Sequence, residues 1–575
     1  ISIFCSVCQQ TIYPHHLFYH KKEHKALSFL GCSSPQTDKQ TLLAQRQKLI
    51  SKLTKLPKYS ERDRQKIDYS FEFLMDKQTY TSCCDLDNFN NSSTLKKVKN
   101  SLIKALSICQ DKNSSWQGDM EDRYIVLDNY GSRSDTCFLG LVDGYCGVTA
   151  AEAVSAELPL LFLDQLAQTD SSYRKSKDEQ QILDSFAPVI TADYREKERI
   201  FSDKQENDKT NKTNTYKWIH KAYAKSFWRM DRLLQLGRNE TSKVRWSGCS
   251  TVTCLVERIH NEKTDSTKEE EINYFENHRH SPLARTSKSA AGLLHIANIG
   301  NVHAVLCKNG KGYCLSKEHS TSNASERKRI LQNGGNISTN EPDGLVEGHL
   351  RTTRGLGHHG DPVLKKSVIP VPHTISVPID DSCQFLILAS NGLWEVLDYS
   401  EVLALTLTTF THYLRMYGCI QQNVTSLHKC QYLVPLSEDH LNDSKAINDL
   451  PDGAEILYPN TDIFLADSKG NLTQNEPRCS RRSSLHTASY TGQQSVKTVL
   501  TVGSKPSPQS EEDIKAYLSS CETPTTARGR LLSQTFYDNA AGYISEQLVK
   551  TALAAGSRDN ITILIVLLNG CDKIP

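Results

Sequence analysis

FLILASNGLWEVL, Phe385 to Leu397, opens with an apolar run of strand composition, Phe385 to Ala389, and passes to a polar Ser-Asn-Gly stretch. Working outward, the same texture recurs in YIVL (Tyr124 to Leu127) and in CFLGLVDGYCG (Cys137 to Gly147), where the apolar run ends in Asp-Gly. GSRDNITILIV (Gly556 to Val566) reverses the order, with Asp559 ahead of the run. Short runs rich in β-branched residues and bounded by turn residues predict strands, and further ones lie at Thr251 to Val256, Leu293 to Asn298, His303 to Lys308 and Ile561 to Leu567. Helical periodicity is expected over Ala150 to Leu166 and Ser400 to Tyr417. Many of the strands follow one another with no helix between them. That order predicts an α+β domain, antiparallel sheets flanked by helices.

With 575 residues, 38% apolar and 23% charged, the chain can bury one large core and still carry appendages. Lys plus Arg (68) nearly balance Asp plus Glu (66), which excludes the global field that concentrates nucleic acid or anionic membrane. Neither partner is expected. No run of about 18 apolar residues predicts a membrane span. Eighteen cysteines, scattered without a scaffold-like spacing, predict reduced thiols in an intracellular setting, cytoplasmic or nuclear. Because the chain starts at Ile1 rather than Met, a preceding segment is expected.

Three parts are predicted along the chain: a Cys/His-rich unit at 1–30, a linker with a helical segment at 31–110, and the main domain at 111–570. In the linker, TLLAQRQKLISKLTKL (Thr41 to Leu56) sets Leu42, Leu49, Leu53 and Leu56 near one helical face, as in a helix packed on a neighbour. Tyr173 to Asn214 and Asn261 to Ser289 are charged insertions, the first partly helical. The insertion at 421–528, rich in Ser, Thr, Asn and Pro, holds too few apolar side chains to offset the entropy of ordering, and disorder is predicted there.

MED (Met120 to Asp122), LVDGYCG (Leu141 to Gly147), SGCSTVTCLV (Ser247 to Val256), LHIANIGNVHAVLCKNGKG (Leu294 to Gly312), RTTRGLG (Arg351 to Gly357), FLILASNGLWEVL and GSRDNITILIV appear in one fixed order. This ordered set resembles the metal-dependent, type 2C serine/threonine protein phosphatases. The resemblance implies a β-sandwich of two antiparallel sheets packed face to face with helices outside, and a dinuclear Mg or Mn centre at one end of it, with Glu121, Asp122, Asp143, Asp559 and the Gly144 carbonyl at the family's metal-binding positions. Hard divalent cations prefer such oxygen ligands. It also exposes departures. Asn391 stands where the family's Asp-Gly-x-Trp-Asp begins with a metal-binding Asp, so a ligand loses its charge. Gln117 replaces the Arg that grips the substrate phosphate and offers no bidentate fork. Tyr145 takes the place of a histidine that acts as general acid. Cys146 replaces a glycine, Asn301 an aspartate linked to a third metal, and His358 the aspartate after the Leu-Gly pair.

The expectation is therefore a pseudophosphatase, inactive or strongly impaired, that binds a phosphoprotein or other protein partner. Its rival is a slow Mg/Mn-dependent phosphatase. In the first unit, FCSVCQQTIYPHHLFYHKKEH gives Cys5-x2-Cys8, eleven residues, then His20-x3-His24, with Phe4 and Leu17 flanking. That spacing resembles a two-Cys, two-His zinc finger, one residue short in its central spacer. A lone finger predicts a protein-binding or structural role rather than DNA reading.

Overall fold

The computed structural model describes residues 2–5, 7–33, 37–55, 61–76, 92–197, 216–237, 244–259, 291–338, 343–431 and 533–574, with backbone only at 62 and 419–431. Chain order runs through β1 (Ile3–Phe4), β2 (Thr11–Ile12), α1 (Pro14–Leu30), α2 (Lys39–Thr54) and α3 (Glu61–Met75). The strands that follow are β3 (Thr94–Lys96), β4 (Ile103–Asp111), β5 (Arg123–Leu127), β6 (Thr136–Tyr145), β7 (Gly248–Arg258) and β8 (Gly292–Ile299). Next come β9 (His303–Lys308), β10 (Lys311–Cys314), β11 (Leu356–Gly357), β12 (His373–Ile379), β13 (Cys383–Ala389) and β14 (Ile561–Leu568). One sheet has the order β10-β9-β13-β14-β4-β3 and the other β12-β8-β7-β6-β5, with β11 added to β7. Every named pair is antiparallel.

Alternate side chains of one strand face opposite sides of its sheet. On β6, Cys137, Leu139 and Leu141 enter the core between the sheets, together with Leu106, Ile108, Val252, Cys254, Leu386, Leu388, Leu564 and Val566. The intervening Phe138 and Val142 pack outward against the helix Thr149–Thr169 (α4) and the helix Lys217–Leu236. Across the molecule, Phe385, Ile387, Ile563 and Ile565 face a second outer layer that includes Phe536, Ile544 and Leu548 of the helix Gln534–Ala554. Both faces of each central strand are buried. The runs therefore read as continuous apolar stretches rather than as alternating ones.

Several expectations are corrected. The sandwich begins before residue 111, because β3 and β4 pair in its first sheet. The predicted linker thus contains two strands of the domain, besides α2 and the unpredicted α3. Asp143 was expected just beyond a strand end, yet β6 continues through Gly144 to Tyr145, in register with Ser250, Cys249 and Gly248. Of the small N-terminal hairpin, Ile3 is buried and Phe4 is 59% exposed. The helix from Tyr399 runs on to Gln431, and the insertion predicted at 421–528 lies outside the described residues from 432 onward. The elements above form one unit, Ile1–Lys429 with Leu531–Pro575. Within Tyr173 to Asn214 the helices Lys177–Asp184 and Ala187–Ile190 are present, the first closed by a Ser176–Glu179 capping box. Residues 198–215 and 260–290 lie outside the described set.

The helix Ala324–Gln332 is fastened to Thr353 and Arg354 at one buried carboxylate. Glu326 accepts from Arg354 Nη2 at 2.6 Å, Arg329 Nη2 at 3.0 Å and Thr353 Oγ1 at 2.9 Å. Burial alone would raise its pKa, but the Arg354 hydrogen bonds and charge, with Arg329 beside them, hold it down to about 2. A carboxyl depressed in this way stabilises the fold fully above its unfolded value, and that contribution is lost as pH falls toward 2. Glu326→Gln is expected to lower unfolding free energy by about 3 kcal/mol at neutral pH, as for a broken buried ion pair. In urea titrations the gap from the parent should narrow once pH drops below 4.5.

Candidate metal and phosphate site

The strand alternation that fills the inter-sheet core also builds the site. Following the inner face of β6 past Leu139 and Leu141 leads to Asp143. The inner faces of β5, β7, β13, β14 and β4 lead to Asp122, Ser250, Ser390, Thr562 and Gln110. At one end of the sandwich, apolar side chains thus give way to polar ones on both sheets. Asp122 Oδ2 accepts from Thr562 Oγ1 at 2.7 Å, a hydrogen bond from one sheet to the other, and Gln110 Nε2 donates to the same hydroxyl at 3.0 Å.

Asn391 opens the helix Asn391–Trp394 just after β13, and its backbone N–H donates to Asp143 Oδ2 at 2.8 Å. Its side-chain Nδ2 donates to Asp559 Oδ2 at 3.2 Å. These two bonds bring Asp143, Asn391 and Asp559 together. Glu121 joins through backbone: its N–H donates to Asn560 Oδ1 at 2.8 Å, and its Oε1 accepts from the Gly147 N–H at 3.1 Å. A Cβ at Gly144 would lie 2.5 Å from the Glu121 carbonyl oxygen, so glycine is what lets these two segments meet.

Burial, then the charges of Asp122 and Asp559, hold the Asp143 carboxyl well above the usual range. Burial, followed by the Asp559 and Glu121 charges, pushes Asp122 up to about 7 despite the hydrogen bond from the Thr562 hydroxyl. Asp122 Oδ1 is buried without a hydrogen-bond partner. Two desolvated carboxylates, Asp143 and Asp122, the latter with an unused acceptor, fit a divalent cation, and with the half-buried Asp559 and Glu121 they are the oxygen donors that would hold it.

The substituted positions tell a different story. Tyr145 stacks on His358, ring centroids 4.8 Å apart and 17° from parallel. Its hydroxyl is buried against Gly355, and the Thr352 hydroxyl beside it falls outside hydrogen-bond geometry. Burial pushes this phenol far above its ordinary range. His358, at a φ of 57°, is held down to about 4 by burial and then by the Lys365 charge, and is neutral at pH 7. Room for its ring comes from Gly248, where a Cβ would lie 2.2 Å from Nε2. Gln117 is tied away, its Nε2 donating to the Arg558 carbonyl at 2.8 Å. Cys146 is exposed at a φ of 60°.

Asn301 does not join the carboxylates by any hydrogen bond shown; its N–H donates to Ser250 Oγ at 3.3 Å and its Oδ1 is buried without a partner. With Asn391 it lines a cavity of about 540 Å³, bounded also by Glu318, Asp343, Arg351 and Tyr399. Sequence reading missed this cavity and the role of Asn560, whose amide donates to the Lys112 and Asp119 carbonyls and so ties the approach to β5 onto β14. The RDN triplet was visible, but nothing local marks an Asn as a cross-sheet tie. Missed too was Arg558, whose guanidinium lies 4.5 Å over the Trp116 ring, a cation-π contact at the rim. Among the described residues, the one group of three or more Cys, His, Asp or Glu with ligand atoms all within 4.8 Å of one another is Cys5, Cys8, His20 and His24. The four predicted soft ligands do converge.

A family model described as protein phosphatase 2C matches residues 195–416. Protein phosphatase 2C-like domain-containing protein 1 of Homo sapiens is 43% identical over 584 residues, covering 99% of this chain and 89% of the human protein. The Mus musculus protein of that name is 38% identical, covering 99% of this chain and 88% of its own length. Protein phosphatase 2C homolog 1 of Saccharomyces cerevisiae is 26% identical and covers 51% of this chain and 78% of its own. With full-length relatives at this identity, and with two facing antiparallel sheets that gather the carboxylates at one rim, the chain belongs to the type 2C protein phosphatase family.

Proposed function

We propose that this chain is a pseudophosphatase, a type 2C fold that binds a phosphoprotein or protein partner at its relic site and the adjoining cavity without turning substrate over. The observation that carries this reading is the Tyr145–His358 stack. The two positions where the family places a histidine and an aspartate are here packed on each other, and the Tyr145 hydroxyl is buried away from any hydrogen bond. It is not available to protonate a leaving group. Losing a positioned general acid costs about 10² to 10⁴ in rate.

Two further substitutions act in the same direction. The Asn391 amide donates to Asp559 where the family has an acceptor-only carboxylate, so a neutral hydrogen bond takes up charge that a cation would otherwise balance. Gln117 offers no cation to a phosphate and spends its amide on a backbone carbonyl. When bound, Mg or Mn would polarise a phosphoryl oxygen and lower the pKa of an attacking water. This chain's own residues would contribute the oxygens of Asp122, Asp143, Asp559 and Glu121 and a site that partly excludes water. The unpartnered Asp122 Oδ1 favours a second reading, a slow phosphatase that still takes the metal.

Hydrolysis of a phosphothreonine peptide in excess Mn separates the two. The parent chain is expected to show none, and a revertant carrying Gln117→Arg, Tyr145→His, His358→Asp and Asn391→Asp to show Mn-dependent turnover. Turnover by the parent that disappears in Asp143→Ala would replace the pseudophosphatase with a weak enzyme. In calorimetric titration, Asn391→Asp alone is expected to raise Mn affinity by at least about tenfold, because a charged oxygen replaces a neutral amide.

A further inference from the structure

The N-terminal unit holds a second constellation, unlike the acidic one in every respect. β1 and β2 form a small hairpin, Ile3 opposite Ile12 and Phe4 opposite Thr11, whose turn presents Cys5 and Cys8. Gln9, at a φ of 60°, closes that turn by donating its N–H to the Cys5 carbonyl at 2.9 Å. Pro14 starts α1 at a position that needs no N–H, and Gly31, at a φ of 69°, ends it. His20 and His24 stand four residues apart on α1 and hence on one face.

The two elements aim their donors at a common point. Cys5 Sγ lies 3.6 Å from His24 Nε2, Cys8 Sγ lies 3.2 Å from His20 Nε2, and the two Nε2 atoms are 3.0 Å apart. Four mutually close donors, two sulfur and two imidazole, form the ligand set that zinc takes in a closed tetrahedral site. Mg and Mn prefer oxygen.

Two apolar patches of this unit pack against the rest of the same chain. Leu17, wholly buried, and Ile3, 2% exposed, belong to the outer core with Phe536, Leu393, Val396 and Val402. Leu27 and Leu30 pack with Leu42 of α2 and Ile67 of α3. Lys21, next to His20, donates to the Val396 carbonyl at 2.9 Å and pairs with Glu401, whose side chain is 1% exposed. Val396 lies just after the Asn391–Trp394 helix, and Glu401 is in the first turn of the next helix, which starts at Tyr399. The helix therefore has its apolar face and the lysine beside the His pair engaged within this chain.

We propose that Cys5, Cys8, His20 and His24 bind one zinc ion, and that this metal is a structural staple holding α1 against the outer helical layer of the phosphatase body. Metal binding and folding are then one equilibrium, and because the docked face is shared, the ion stabilises the body as well as the finger.

The test uses the full chain. Zinc content should be about one per chain, as one four-ligand site requires. Cobalt in its place should give the visible absorption of a tetrahedral thiolate site. Chelation should lower the unfolding temperature of the whole domain by several degrees, with recovery on adding zinc and none on adding Mg or Mn. Cys8→Ser should lose both metal and shift. Asp143→Ala should keep its zinc, which separates this site from the acidic one. Lys21→Met should keep zinc yet unfold at a lower temperature, since Glu401 loses its partner. A chain without zinc and without the cobalt band overturns the proposal, as does bound zinc whose removal leaves the unfolding temperature unmoved.

Discussion

The structure depends on strands that are buried on both faces. Two six-stranded antiparallel arrangements share one core, and each central strand also supports an outer helical layer. Strict alternation of side chains then leaves little freedom: whatever continues the inner face beyond the last apolar residue must emerge at the rim between the sheets. Asp122, Asp143, Ser390 and Thr562 do so, and the Thr562–Asp122 hydrogen bond joins the sheets at that rim. Site and core are consecutive positions on the same strands. A shift of one residue in β6 would send Asp143 to the helical face and Gly144 to the rim.

Concentrating carboxylates in so dry a place has an electrostatic cost. Burial chiefly raises both Asp143 and Asp122, the first helped by the Asp122 and Asp559 charges and the second by those of Asp559 and Glu121, so this rim favours either a cation or protonated acids. The substitutions act on that imbalance. Asn391 removes one charge and donates to Asp559, while Tyr145 and His358 replace two polar groups with a stacked pair of neutral rings. On the proposed reading these changes exchange chemistry for stability, the direction expected when an electrostatically strained site is no longer kept for catalysis.

Much of the sandwich was legible. The runs at Thr251, Leu293, His303, Phe385 and Ile561 became β7, β8, β9, β13 and β14, because dense β-branched and leucine runs bounded by turn residues admit few other readings. β4, Ile103–Asp111, escaped notice although it is a central strand, since Lys104, Ser107 and Gln110 interrupt its apolar content. Ser107 is acceptable there because it hydrogen-bonds to Ser545 at 3.0 Å, a partner far away in sequence. The Asp-Gly after FLGLV was read as a strand end. Its pairing with Cys249 and Ser250 carries the strand past it, and pairing of that kind is a property of the neighbour, not of the run itself.

By itself the sequence determined the apolar periodicities, the order of the motifs, the four acidic positions and the spacing of the N-terminal Cys and His residues, all of them carried by residues close in the chain. Only the tertiary structure decided that Tyr145 and His358 lie face to face, that Asn391 donates to Asp559, and that Lys21 reaches Glu401. Those facts depend on contacts between segments up to several hundred residues apart. Which of the available partners a buried polar group meets is set by how sheets and helices pack, because burial makes an unpaired group costly and leaves the choice of partner to geometry.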